Sequence, residues 1–360
     1  MLNIIVIAAI VLILVILFAI YRVSSLVDII KGESHNKVSS ANGFQGTLML
    51  LFLIFGLIGG FYYSFGGLDD DFILPVASEH GVVTDKLFWW TMGITGFVFV
   101  VTQIFLFGFA WKYQHRENQV AYYYPHNNKL ETIWTIIPAI VLAILVFTGW
   151  KAWVDITGES PEGSEVVEIM GYQYAWAVRY PGADSKLGEY DYRKIDATNQ
   201  MGIDFADRAS FDDFIPREIH VPKGKPVLFK IRARDVIHSV YQPHFRLQMN
   251  AVPGMPTQFW FVPTKSTADM QAETKNPDFQ YELVCNKICG KGHFAMRYII
   301  VVDEPEDYKK WFDSQEPWLK QNADYLTEVP ANLRESASIV AGIELPEVDF
   351  SNGIISSGSK

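Results

Sequence analysis

The first half of the chain contains four long apolar runs, at residues 4–21, 48–65, 88–111 and 133–153. Each is at or near the ~20 residues that a helix needs to cross the hydrocarbon of a bilayer. Each is almost free of charge, which argues against buried helices of a globular core. Lipid offers no hydrogen-bond partner to a bare backbone, so runs of this kind become helices. The overall composition, 49% hydrophobic and 19% charged, averages two unlike halves, because the polar residues concentrate in the second. That asymmetry predicts membrane helices followed by a water-soluble domain.

The first run is not read as a cleaved signal. No Lys or Arg precedes it, and Tyr21-Arg22 follows it where small residues would be needed. The loops then set the topology. Arg22, Lys31 and Lys37 follow the first run, and Lys112, Arg116 and Lys129 follow the third. The loop after the second carries Asp69, Asp70, Asp71, Glu79 and Asp85 against Lys86. Basic loops stay in the cytoplasm, so an even number of helices puts the N-terminus and the polar domain outside.

From about residue 160 to 304 the pattern becomes β-rich. Alternating or apolar β-formers occupy 165–170, 174–179, 226–231, 257–262, 281–284 and 298–302, separated by Pro- and Gly-containing turns. Short strands broken in this way predict an antiparallel sandwich or barrel. An amphipathic helical stretch is expected around 306–321, then a mobile polar end at 351–360.

The chemistry concentrates in Cys285-Asn-Lys-Ile-Cys289-Gly-Lys-Gly-His293-Phe-Ala-Met296, which holds the only two cysteines of 360 residues. Soft sulfur and imidazole donors favour copper over magnesium, calcium or manganese. Spacing alone leaves a disulfide and zinc open, although Cys-x3-Cys-x3-His-x2-Met matches no common zinc pattern. Met296 could equally be core filler beside a strand. A further ligand would come from Asp235-Val-Ile-His238-Ser, and a lone His there is ordinarily a hydrogen-bonded loop residue.

Taken together, Asp-Val-x-His-Ser and Cys-x3-Cys-Gly-x2-His-x2-Met resemble subunit II of the haem–copper cytochrome c oxidases. The resemblance favours copper over disulfide and zinc. It implies an N-terminal transmembrane helical region carrying an all-β, cupredoxin-like Greek-key domain. It also implies a binuclear copper A centre of two copper ions. Cys285 and Cys289 would bridge the ions, His238 and His293 would bind one each, Met296 would be a weaker ligand, and Lys287 would give its backbone carbonyl. The implied organisation is two extra helices and loops at 1–85, a core membrane hairpin at 86–155, the copper domain at 156–304 and a helical tail at 305–360.

Other motifs carry further implied roles. His126-Asn-Asn-Lys-Leu130-Glu131-Thr-Ile-Trp134-Thr135-Ile-Ile-Pro138 resembles the family signature at the second core helix. There Glu131 would lie at the mouth of a proton pathway into subunit I; its plain alternative is a first-turn carboxylate favoured by the helix dipole. Gly171-Tyr-Gln-Tyr174-Ala-Trp176 resembles the stretch where the electron enters. Tyr174 replaces the family's first Trp and Trp176 matches the second, with core packing the alternative for both. Asp235 is a candidate for docking the donor, or else a turn residue. Where many members place Glu, Lys287 cannot bind a shared magnesium, because an ammonium only donates.

The chain has no Cys-x-x-Cys-His and no spare cysteine for one, so no c-type haem is fused to it. The donor is expected to be a separate cytochrome c, and a net charge of −10 suits a basic one. Haem and copper B would belong to subunit I, where oxygen is reduced with proton translocation. The implied setting is a bacterial cytoplasmic membrane with the copper domain on the periplasmic side. Other oxidase subunits and lipid are expected partners, and nucleic acid is not. Two other readings are a copper-free quinol oxidase subunit II and a membrane-tethered mononuclear copper carrier.

Overall fold

A computed structural model describes residues 2–30, 38, 40–65, 74–116 and 119–344. The polar end at 351–360, Asp69–Asp71 and the basic residues Lys31 and Lys37 lie outside the described residues. Four helices come first: α1 (Leu2–Ile30), α2 (Ser40–Phe65), α3 (Glu79–Lys112) and α4 (Asn128–Thr157). Asn42–Phe65, Glu79–Lys112 and Asn128–Thr157 are long and apolar enough to cross a membrane, while the apolar stretch described in α1, Val11–Val27, is shorter. Side chains such as Phe97, Ile140 and Phe147 are exposed, as a lipid-facing or partner-facing helix requires.

Helix starts follow from local capping. Ser78 Oγ accepts the Gly81 N–H at 2.9 Å and donates to the Phe245 carbonyl at 2.7 Å, so α3 begins ahead of its apolar run. At α4, Asn127 Oδ1 accepts the Leu130 N–H at 3.0 Å, and Glu131 Oε1 accepts the Asn127 N–H at 3.1 Å. This reciprocal arrangement satisfies two otherwise orphaned donors. Pro138 sits inside α4, which continues through it. Next to α3, α2 is held by Asn42 Nδ2 donating to the His115 carbonyl at 2.8 Å and by the Phe52 and Phe107 rings, 5.5 Å apart.

The β domain has nine strands among the described residues: β1 (Glu165–Tyr172), β2 (Ala175–Arg179), β3 (Ile219–Pro222), β4 (Val227–Ala233), β5 (His238–Gln242), β6 (Leu247–Ala251), β7 (Thr257–Phe261), β8 (Tyr281–Cys285) and β9 (Arg297–Asp303). They form one sheet in the order β2-β1-β4-β7 and another in the order β3-β9-β8-β5-β6. The sheets are mixed, not purely antiparallel as predicted: β1 runs parallel to β4, and β3 to β9. Parallel neighbours need long crossovers, and the chain after β2 supplies them. Three strands escaped prediction. β3 is four residues long, β5 begins on the ligand candidate itself, and β6 (Leu-Gln-Met-Asn-Ala) lacks β-branched residues.

Between the sheets lies a core containing Val167, Ile169, Phe229, Val240, Leu283 and Ile300, and Cys285, Cys289 and Met296 belong to it. β1 is buried on both faces. Its Met170 points the other way, into a second cluster with Met201, Phe205, Phe211, Trp318 and Leu319. After α5 (Thr267–Thr274), three further helices close the described chain: α6 (Pro305–Asp313), α7 (Trp318–Gln321) and α8 (Arg334–Ala341). The helix expected over 306–321 is broken, with Pro317 directly before α7. Trp318 and Leu319 then join Leu333 and Ala337 in the second cluster, so the tail is part of the packed domain.

Charge is buried near that cluster. Arg179 Nε lies 2.7 Å from Glu168 and its Nη1 3.1 Å from Asp213, while Arg232 Nε lies 2.8 Å from Glu168. The Arg232 guanidinium stacks 4.0 Å over the Tyr190 ring.

Candidate metal centre

The site forms where three segments meet at one end of the sandwich. His238 opens β5 and is fully buried. Cys285 closes β8, pairing opposite Val240 of β5. Past β8 the chain loops out, and returns as a short 3-10 turn, His293–Ala295, before β9. Two backbone bonds fasten this loop: Cys285 N–H to the Met296 carbonyl and Asn286 N–H to the Ser239 carbonyl, both at 3.1 Å. The loop is therefore pinned at its root to the strands that carry the imidazole and the first thiol.

The donor atoms lie in sequence. His238 Nδ1 is 3.9 Å from Cys285 Sγ, which is 4.0 Å from Cys289 Sγ. Cys289 Sγ in turn lies 3.7 Å from His293 Nδ1 and 3.3 Å from Met296 Sδ. The Lys287 carbonyl is 3.2 Å from Cys285 Sγ. Both cysteines are free thiols. Bonds of ~2.0–2.3 Å to nitrogen and sulfur put neighbouring donors of one ion roughly 3.3–3.8 Å apart; the Cys289–His293 and Cys289–Met296 spacings fall in that range and the others close to it. Among the described residues, His238, Cys285 and Cys289 form the one His, Cys, Asp or Glu group whose donor atoms lie mutually within 4.8 Å. His293 falls outside that group despite its contact with Cys289. The two imidazoles therefore approach opposite ends of the thiol pair.

Electrostatics fit a cation there. Burial first, and then the neighbouring Cys285, push the Cys289 thiol up to about 11. Paired thiolates in this position need positive charge close by. Asp235 provides the surrounding shell. Its Oδ1 lies 2.9 Å from His238 Nε2 and accepts the Val236 N–H at 2.7 Å, while Oδ2 accepts the Gln173 N–H at 2.7 Å. Burial alone would raise the Asp235 carboxyl, but the bonds from His238, Gln173 and Val236 outweigh it and hold it below the ordinary carboxylate range. Both Asp235 oxygens are thus engaged, one of them on His238.

The aromatic candidates separate by burial. Trp176 is buried, with its ring edge-on to His238 at a centroid distance of 5.9 Å. Tyr174 is exposed, and its hydroxyl accepts the Lys291 N–H at 3.2 Å. Two glycines make these contacts possible. A Cβ on Gly171 would stand 2.9 Å from both His238 and Trp176, and one on Gly290, at φ +137°, would press on the Tyr174 hydroxyl. Glu131 takes part in the reciprocal cap of α4.

Gln173 is a functional residue the sequence reading did not assign. Its backbone N–H holds Asp235 and its Nε2 donates to the Cys289 carbonyl at 2.5 Å. The signal was its place in the Gly171-Tyr-Gln stretch, where the aromatic residues drew the attention.

Comparison with known proteins agrees with this architecture. The family model described as "Cytochrome C oxidase subunit II, transmembrane domain" matches residues 74–151, and that of the "Cytochrome C oxidase subunit II, periplasmic domain" matches residues 165–303. The chain belongs to the cytochrome c oxidase subunit II family. It is 33% identical over 246 residues to the alternative cytochrome c oxidase subunit 2 of Bradyrhizobium diazoefficiens, covering 67% of this chain and 83% of that protein. It is 27% identical over 252 residues to cytochrome c oxidase subunit 2 of Cereibacter sphaeroides, covering 67% and 78%. The crystal structure of the periplasmic domain of subunit II of Bradyrhizobium japonicum cytochrome oxidase aligns at 22% identity and a TM-score of 0.30, over 43% of this chain and 94% of that one. The family is the copper-binding subunit of a haem–copper oxidase, and the sheet domain matches its periplasmic domain.

Proposed function

We propose that this chain is the electron port of a respiratory terminal oxidase, accepting electrons from a cytochrome c at a binuclear copper A centre. Haem in subunit I would receive them, and oxygen would be reduced to water there with proton translocation. The observation that carries the reading is the order of donors: an imidazole at each end, two thiols between, and Met296 and the Lys287 carbonyl flanking them. Cys285 and Cys289 would be shared by two ions, His238 and His293 would serve one each, and Met296 and the Lys287 carbonyl would complete the set. Bound copper supplies one-electron redox chemistry.

The chain's own contribution is a stiff, dry socket. His238, Cys285, Cys289 and Met296 are all buried, and the two thiols and the thioether are built into the core between the sheets. Ligands packed in this way barely move when charge changes nearby. Tyr174, on the surface against the metal-binding loop, and Trp176, inside against His238, are the side chains through which an electron would enter. Glu131 would stand at the mouth of a proton pathway completed by subunit I. A shared magnesium finds no ligand in the Lys287 ammonium. The setting is a bacterial cytoplasmic membrane, with this domain on the periplasmic side.

Metal analysis separates the readings. Two coppers per chain, with an electron paramagnetic resonance signal shared over two copper nuclei, is the expected result. One copper would favour a mononuclear carrier, and none a copper-free quinol oxidase subunit. Asp235→Ala tests the socket independently. Loss of the carboxylate frees the His238 ring and the Gln173 N–H. A lost outer partner of this kind weakens metal binding about 10–100-fold, to be read by competition titration with a copper chelator. Unchanged affinity would mean that Asp235 does not orient the ligand.

A further inference from the structure

Three loops surround the thiol pair: the β1–β2 turn at 172–174, the β4–β5 loop at 234–237 and the metal-binding loop at 286–296. They are tied together by the Tyr174 hydroxyl on Lys291 and by the Gln173 N–H on Asp235. Apolar groups on them are unusually bare. Ile288 and Phe294 are 87% and 88% exposed, and Tyr174, Val236 and Ile237 are exposed as well. Clustered exposure of this kind marks a contact surface.

The charges on the same loops are one-sided. Asp235 keeps its negative charge, because the Gln173 and Val236 N–H groups that bond it are neutral, and Glu282 at the edge of the site is paired with Arg297 at 3.2 Å. The cations are not neutralised. Lys287 and Lys291 are exposed, and neither side chain has an ion pair among the described residues. Arg234 lies 4.3 Å over the Tyr172 ring with no carboxylate partner among them. The chain as a whole carries −10, whereas these three loops hold Arg234, Lys287 and Lys291 against Asp235 and so carry a local excess of cations.

We propose that the electron donor docks here through an apolar centre ringed by carboxylates, so that this oxidase takes an acidic-faced cytochrome c and not a basic one. The proposal rests on the copper A reading and specifies the partner of that site. Complementary charge speeds encounter and fixes orientation, and on these loops the cations Arg234, Lys287 and Lys291 outnumber the one carboxylate, Asp235. The whole-chain charge pointed to a basic donor; the arrangement of the loops reverses that expectation locally.

The test uses the purified oxidase complex, with its copper signal recorded before mixing. It is reacted by stopped flow with two monohaem cytochromes c of matched potential, one acidic and one basic. The second-order rate with the acidic donor should fall at least about tenfold from ~10 to ~200 mM ionic strength, while that with the basic donor stays flat or rises. The double variant Lys291→Glu, Arg234→Glu should slow the acidic donor about tenfold at low salt and leave the copper signal and reduction by a small neutral reductant unchanged. A steep salt-sensitive preference for the basic donor, or a double variant with an unaltered acidic rate, overturns the docking proposal alone. An absent dicopper signal overturns the electron-port reading, and the docking proposal falls with it.

Discussion

Cys289→Ser is expected to empty the copper site and abolish electron uptake from cytochrome c, instead of weakening either by a modest factor. Cys289 Sγ is a hub of the arrangement: it touches Cys285 Sγ at 4.0 Å, His293 Nδ1 at 3.7 Å and Met296 Sδ at 3.3 Å. Cys285 Sγ makes as many, to His238 Nδ1, the Lys287 carbonyl and Cys289 Sγ, so the two thiols together join the set. A serine hydroxyl is a hard, weakly acidic oxygen, poorly matched to a metal that selects soft sulfur. Its loss would separate the His238–Cys285 end from the His293–Met296 end. The effect should exceed the 10–100-fold that loss of an orienting partner brings. Copper per chain should fall from two to less than one, with no shared-electron signal. The swap is small and the site lies at one end of the core, so thermal denaturation should still show a folded β domain. Lys287→Ala is the companion variant. It removes an exposed side chain and keeps the carbonyl, so copper content should be unaffected. A Cys289→Ser protein with two coppers and the unaltered signal would overturn the assignment.

Much of this centre was legible in the sequence because metal chemistry restricts residue type and local spacing together. Cys285, Cys289, His293 and Met296 lie on one short loop, so proximity in sequence nearly guarantees proximity in space. His238 was harder, since only the pairing of β5 with β8 brings it to Cys285. That pairing is long-range and leaves no local periodicity. Asp235 shows the other limit. A carboxylate near a candidate site can face a partner or bond inward, and a sequence does not show that Asp235 bonds the Gln173 N–H and the His238 ring. The same reasoning covers the fold. The apolar runs announced long helices by length and lack of charge, and among the described residues three of them are long and apolar enough to cross a membrane. The parallel pairing of β1 with β4, and the docking of α7 and α8 over Met170, depend on contacts between distant residues.

Arg179→Met is expected to be the most damaging substitution away from the metal, lowering the stability of the β domain by about 3–5 kcal/mol, as breaking a buried ion pair from one side typically does. Arg179 is almost inaccessible and satisfies Glu168, Asp213 and the Gly188 carbonyl, the last at 2.8 Å. The two acids respond differently to the same guanidinium. Burial raises Glu168, yet Arg179 and Arg232 together more than reverse it, leaving it lowered. Asp213 has one longer contact and a buried Oδ1 with no hydrogen-bond partner, and burial outweighs Arg179 to push it up to about 8. The sign for stability follows. Between an ordinary carboxyl value of ~4 and 8, the folded chain holds a proton on Asp213 that the unfolded chain has released, so stability from this group is lost as pH rises through that window. Removing Arg179 takes away the one cation that tolerates ionised Asp213. Thermal denaturation of the detergent-solubilised protein should therefore show a larger penalty for Arg179→Met at pH 8.5 than at pH 6. Asp213→Asn, which keeps the neutral shape, should be mild at pH 6 and should flatten the decline toward alkaline pH. Equal penalties for Arg179→Met at both pH values would mean that Asp213 is already ionised in the folded chain, held by Arg179 against its burial.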